Sequence, residues 1–273
     1  MAEALRTSRL VTITGPGGTG KTRLALEVLR RRRHGREAAW LVDLVALPAG
    51  ADVAAETARV LDIPAATGGA ATAALTRYLG GRDALLVLDN CEHVIDACAE
   101  LATALLGACP SLRVLTTSRE SLAVEGEFVW TLDPLPADDA RRLFVERARQ
   151  RKPSFVPAPH DDVAIEQICA RLDRLPLAIE LAAARVRMMS PAEIVVALDR
   201  RYDALGGGRR GSPAHHRSVR ATVEWSYDLL DAEEQRAFRA LGVFAADFDA
   251  RAAAAVATPC HPTCWPGWST SRW

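Results

Sequence analysis

Continuous apolar runs that stop at glycine or at a lone acid dominate the first half of the chain, whereas the second half places apolar residues at helical spacing. RLVTIT (9–14) closes on the glycine cluster GPGGTG and predicts a first strand. Residues 21–33 follow as a helix, with Leu24, Ala25, Val28 and Leu29 along one side and a solvated, dipole-favoured arginine end at 30–33. AAWLVDL (38–44) predicts a second strand, and helical segments near 51–62 and 70–80 flank the loop IPAATGG. Ala84 to Asp89 is a third strand, followed by a helix over 91–106 that Gly107 and Pro110 stop. LRVLTTS (112–118) and EFVWTL (127–132) complete a set of five. Strands apolar on both faces and alternating with helices imply an α/β fold, with a mainly parallel sheet covered on both sides.

Beyond Pro134 and Pro136 the strand pattern ends. Helices are expected over 137–151, 161–172, 176–187 and 191–200, so a helical subdomain (134–205) follows an α/β domain (1–133). GGGRRGSP, within 206–215, has the composition of a linker. VRATVEWSYDLLDAEEQRAFRALGVF then places two amphipathic helices around Asp231, and 216–257 is expected to form part of a winged-helix module. The last stretch, TPCHPTCWPGWSTSRW (258–273), holds Trp265, Trp268 and Trp273 and has no periodicity. Cys260, His261 and Cys264 are zinc-type ligands without a convincing fourth; a disordered or frame-shifted tail accounts for the same residues.

Charge narrows the function classes. The 34 Lys and Arg balance the 34 Asp and Glu, so no global field draws the chain to nucleic acid or anionic membrane. Lysine occurs only at Lys21 and Lys152, which makes a lysine inside a motif informative. No apolar stretch is long enough for a membrane span and the N-terminus lacks a signal-peptide core, so a soluble cytoplasmic protein is expected. Cys91, Cys98, Cys109 and Cys169 fall in helical or turn segments and read as reduced structural thiols.

The chemistry concentrates where strands end. GPGGTGKT, from Gly15 through Pro16, Gly17, Gly18, Thr19 and Gly20 to Lys21 and Thr22, matches G-x-x-x-x-G-K-[ST] between a predicted strand and a predicted helix. Its glycines let backbone N–H groups converge on phosphate oxygens, the helix start adds positive potential, Lys21 would reach the β- and γ-phosphates, and Thr22 would ligate Mg²⁺. Arg23 extends the same set. Asp89 would hold the Mg²⁺ shell from the tip of a neighbouring strand. Its neighbour Asn90 cannot serve as a base, which leaves Glu92 as the nearest catalytic carboxylate. Asp89 and Glu92 also fit the D-x-x-E pattern of a capping box opening the 91–106 helix. Arg119 is either a contact for the terminal phosphate or a surface arginine, and Thr117 and Ser118 either sense phosphate or cap a turn.

GPGGTGKT, LLVLDNCEHV (85–94), VLTTSRE (114–120), RLPLAIELAAARV (174–186) and SVRATVEWSYDLLDAEEQRAFRALGVF (218–244) together resemble the signal-transduction P-loop NTPases with numerous domains, in the NB-ARC/AP-ATPase branch. More narrowly, they resemble the nucleotide-binding module of bacterial LuxR- and SARP-type transcriptional regulators, over roughly residues 8 to 257. The resemblance implies ATP or ADP with Mg²⁺ as cofactors, Arg119 as the γ-phosphate sensor and Pro176 near the adenine. Arg174 stands where that family's motif has glycine. It also implies a winged-helix segment that closes over nucleotide, and effector and sensor domains beyond this chain, a DNA-binding domain and helical repeats among them. Oligomerisation of the ATP-bound form is one open outcome.

Three functions follow in order. A nucleotide switch whose slow hydrolysis resets it comes first, with weak ATPase activity if any. A turnover-driven ATPase or kinase is second. A direct DNA binder through 217–257 is third: Arg217, Arg220, Arg236 and Arg239 are offset by Glu224, Asp228, Asp231, Glu233 and Glu234, so strong nucleic-acid binding by this chain alone is not expected.

Overall fold

The computed structural model describes residues 1–34, 38–64, 69–205, 227, 232–244 and 249–256. The expected linker, the first helix of the expected winged-helix module apart from Tyr227, and the tail with Cys260, His261 and Cys264 lie outside them. The chain divides into two compact units, Met1–Asp133 and Pro134–Trp273.

The first unit is a sheet of five strands, β1 (Leu10–Thr14), β2 (Ala38–Asp43), β3 (Ala84–Asp89), β4 (Leu112–Thr117) and β5 (Glu127–Thr131). They run in the order β2-β3-β4-β1-β5, and every pair is parallel, so the expected mainly parallel sheet is parallel throughout. Helices α1 (Ala2–Thr7), α2 (Lys21–His34), α3 (Val53–Val60), α4 (Gly69–Leu79) and α5 (Ile95–Ala108) cover it.

Alternation along β3 shows why the strands read as unbroken apolar runs. Leu85 and Val87 pack with Val11, Ile13, Leu115 and the α2 residues Ala25 and Leu29. Leu86 and Leu88 face the other way, against Val42, Val114 and residues of α3, α4 and α5. Both faces are buried, so both parities must be apolar; each such side chain contributes about 1.5–3 kcal/mol.

Two expected boundaries shift. The 91–106 helix is a 3₁₀ turn, Cys91–His93, followed by α5 from Ile95, and α5 continues through Gly107 to Ala108 before Pro110. The break falls at Val94, whose backbone (φ −135°, ψ 35°) is not helical, and Asn90 enters the 3₁₀ turn in a left-handed conformation (φ 64°, ψ 52°).

The second unit is helical over α6 (Ala137–Arg151), α7 (Asp161–Arg171), α8 (Pro176–Ala183) and α9 (Pro191–Leu205). The expected 176–187 helix tightens to a 3₁₀ turn over Ala184–Arg187, and α9 outlasts its expected end at 200. Phe144, Ile165, Ile168, Leu172, Leu175, Ile179 and Leu198 form the core. Arg171 Nε and Nη2 grip the Asp199 carboxylate at 2.6 and 3.0 Å, and Arg147 Nε donates to Glu180 at 2.9 Å. Two further short helices, α10 (Ala232–Leu241) and α11 (Ala250–Val256), follow. A winged helix is not defined by these residues.

Cys91, Cys98, Cys109 and Cys169 are free and buried. Burial pushes the Cys169 thiol up to about 12, consistent with an inert packing role. Among the described residues no helix is long and apolar enough to cross a membrane.

Candidate functional site

Strand β1 ends at Thr14 and the chain turns at once through Gly15 to Gly20 into α2. Gly15 has φ +146°, and a Cβ there would lie 2.9 Å from the Leu132 carbonyl oxygen, so any side chain would collide with backbone. Gly20, at φ +96°, accepts the Leu24 N–H at 2.9 Å and makes the turn into the helix. Between them lie Pro16, Gly17, Gly18 and buried Thr19, whose hydroxyl donates to the Pro16 carbonyl at 2.9 Å. Lys21 Nζ donates to the Gly15 and Pro16 carbonyls at 2.8 and 3.1 Å, which lays the ammonium over the loop. Burial lowers the Lys21 pKa most; Arg119 adds to that effect, while Glu92 and Asp89 oppose it. Arg23 is exposed on the first turn of α2.

Asp89 ends β3 with 2% of its surface exposed. Its Oδ1 accepts the Thr22 hydroxyl at 3.0 Å and the Thr117 hydroxyl; Oδ2 accepts Asn90 Nδ2 at 3.2 Å. Thr117 Oγ1 accepts the Asn90 N–H at 3.0 Å, so its own proton is left to point at Asp89. Burial raises the Asp89 pKa most; the Thr117 and Thr22 hydroxyls counter it, and the charges of Asp43 and Glu92 reinforce it. Ser118, also buried, accepts the Glu120 N–H at 3.3 Å, which is turn geometry.

Two expectations about Asp89 are corrected. It does not sit on a strand neighbouring the loop strand, because β4 lies between β3 and β1. Thr117, at the end of that intervening strand, bonds to Asp89 across the interval. Nor do Asp89 and Glu92 form a capping box. The helix starts at Ile95, the Asp89 oxygens are committed to hydroxyls and Asn90, and Glu92 Oε1 instead accepts Arg119 Nε at 3.2 Å. The geometry thus brings Lys21, Thr22, Asp89, Glu92 and Arg119 to the carboxyl edge of one sheet. Pro176 belongs to the other unit, where it opens α8.

Asp43 is a site residue that motif reading missed. It faces Asp89 in register at the tip of β2 and accepts Asn90 Nδ2 at 3.5 Å and the Val45 N–H at 3.0 Å. The available signal was the same as at Asp89, an apolar strand (WLVD) closing on an acid.

The donor set suits a hard cation. Thr22 Oγ1 and Asp89 Oδ1 lie 3.0 Å apart, and Mg²⁺ characteristically takes one or two protein oxygens and fills its shell with phosphate and water. Among the described residues no group of three or more His, Cys, Asp or Glu could hold a metal, so nothing there resembles a self-contained metal centre.

Loop, strand order and site together define a P-loop NTPase fold, with its polar groups in the crevice beyond the strand ends. Comparison with known proteins agrees: residues 4–121 match the AAA domain family. A Pyrococcus horikoshii signal-transduction ATPase with a tetratricopeptide repeat sensor shares the fold at a TM-score of 0.53 and 16% identity, over 92% of this chain and 35% of that one. A Mycobacterium tuberculosis protein with the provisional name of HTH-type transcriptional regulator is 45% identical over 94% of this chain. The regulatory protein AfsR of Streptomyces griseus is 31% identical over 85%. The chain spans only 29% and 24% of the lengths of these two relatives. Residues 4–121 are thus similar to the AAA domain family, and the chain as a whole is similar to one segment of larger regulators.

Proposed function

We propose that the chain is the nucleotide-switch module of a bacterial transcriptional regulator, binding ATP or ADP with Mg²⁺ at the carboxyl edge of the sheet. The observation that carries this reading is the convergence of the Gly15–Gly20 loop, Lys21 and the Thr22–Asp89–Thr117 hydrogen-bonded cluster at one sheet edge. In this assignment the loop N–H groups and Lys21 hold the phosphates, Thr22 and Asp89 hold Mg²⁺, and Arg119 meets the terminal phosphate. Bound Mg²⁺ would supply charge neutralisation for the phosphates. Thr117 and Asn90 fix the Asp89 carboxylate by hydrogen bonds.

Homology to AfsR-like regulators supports a signalling role over metabolic turnover, and the NB-ARC-like segment RLPLAIEL supports Pro176 as an adenine contact. Asn90 also supports slow hydrolysis, because its amide donates to carboxylates and cannot take a proton from water. Effector, sensor and DNA-binding functions belong to regions of the larger regulators outside this chain.

Calorimetric titration with ATP and ADP tests the site. Lys21→Ala is expected to weaken both by roughly 30- to 100-fold, from the loss of a partly buried phosphate charge pair. Unchanged affinities would overturn the assignment. A turnover-driven ATPase is the second reading, favoured by the Glu92 carboxylate at the same edge; steady-state turnover of about 1 s⁻¹ or faster would establish it over the switch.

A further inference from the structure

Glu92 and Arg119 hold each other. Arg119 Nε donates to Glu92 Oε1 at 3.2 Å, across 27 residues of sequence that include α5 and β4. The arginine side chain is 55% exposed and the glutamate 25%. The second glutamate oxygen, Oε2, is buried and accepts no hydrogen bond from the described residues. Such a group is costly to bury, so the contact with Arg119 is the compensation that the carboxylate has here. Both side chains lie within electrostatic reach of Lys21, which reports each of their charges along with that of Asp89.

From this geometry we infer that Glu92 is a specificity-determining counter-ion, which restrains Arg119 and thereby sets how strongly the site prefers a nucleoside triphosphate over a diphosphate. The inference rests on the phosphate-site reading above. A guanidinium paired with Glu92 has that Nε–H committed; to meet a terminal phosphate it must give up or share the carboxylate. A diphosphate makes no such demand. The pair therefore subtracts from triphosphate affinity and leaves diphosphate affinity alone. Because Arg119 is more than half exposed, the restraint is modest, of the size of a partly screened ion pair. A small bias suits a two-state device, since a ligand moves an equilibrium only by its differential affinity.

The test is a double-mutant cycle on the whole chain, with Glu92→Gln, Arg119→Gln and the pair together. Affinities for Mg²⁺-bound AMPPNP and ADP are measured by calorimetry, the non-hydrolysable analogue keeping turnover out of the readout. Glu92→Gln is expected to tighten AMPPNP about three- to fivefold and to hold ADP within about twofold, the unaltered ADP affinity also certifying a folded site. In the Arg119→Gln background the same change is expected to have no effect on AMPPNP. An equal effect on both nucleotides, or an AMPPNP effect that persists without Arg119, overturns the restraint while leaving the phosphate site standing. Failure of the unmodified chain to bind either nucleotide overturns the phosphate site itself, and the restraint with it.

Discussion

In the sheet unit, Thr12, Thr14, Thr116, Thr117, Ser118 and Asp89 are buried on three strands and the turn after one of them, whereas the helical unit closes over Phe144, Ile168, Leu172 and Ile179, with the ion pairs Arg147–Glu180 and Arg171–Asp199 only part-buried. All the buried polar and charged side chains among the described residues lie in the first unit. Each has a partner: Thr12 and Thr116 share a 2.7 Å hydrogen bond between β1 and β4, and Asp89 takes three donors. Their satisfaction reduces the desolvation cost without abolishing it, as the raised Asp89 pKa shows. In the helical unit the comparable penalty falls on Arg185, whose pKa burial lowers. Stability there is chiefly a matter of packing, whereas the sheet edge keeps its buried polar groups by pairing them with one another.

The contrast can be broken most forcefully at Phe144, fully buried in α6. Phe144→Ala should cost about 3–5 kcal/mol, read as a lowered denaturant midpoint; a loss under about 1 kcal/mol would mean that the helical core is not close-packed. The sheet unit should respond with the opposite sign at Asp89. A carboxyl whose folded pKa lies above its ordinary 3.8 binds more protons folded than unfolded, so its contribution to stability falls as pH rises through that interval and stays low above it. Asp89→Asn should therefore stabilise the nucleotide-free protein at pH 7, with the gain fading as pH drops toward 3.8. Thermal melts at the two pH values check this, and a variant that melts lower at pH 7 would contradict it.

The smallest effect is expected in the turn between α7 and α8. Asp173 and Arg174 both take positive φ, 51° and 52°, and the Arg174 N–H closes the helix end on Cys169 O at 2.9 Å. A left-handed arginine costs about 1–2 kcal/mol, part of which a glycine would return to the flexibility of the unfolded chain. Arg174→Gly should raise stability by about 0.5–1 kcal/mol, and a destabilised variant would show that the arginine side chain compensates for its backbone.

What could be read from the sequence follows the range of the forces involved. Strands β1, β3 and β4 were legible because burial on both faces leaves an unbroken apolar run, the edge strands β2 and β5 because they are short apolar runs despite their exposure, and the loop because its glycines and Lys21 are contiguous. Helix α1 was not, since six residues carry too little periodicity. Strand order was not either: parallel neighbours need not be consecutive, so nothing local announced that β4 would separate Asp89 from the loop strand. Nothing in LVLDNCEH signalled that Asn90 would turn left-handed and send Glu92 to Arg119 instead of to a helix cap. Such pairings belong to the sheet, and they become visible only when the strands are laid side by side.

The central claim is that the buried polar cluster is a metal–nucleotide site, and its most direct test is the Mg²⁺ dependence of nucleotide affinity in the unmodified chain and in Asp89→Asn. The account predicts that Mg²⁺ tightens ATP binding at least about tenfold in the unmodified chain and hardly at all in the variant, with metal-free affinity the same in both within about twofold. An identical Mg²⁺ response in the two proteins would contradict it.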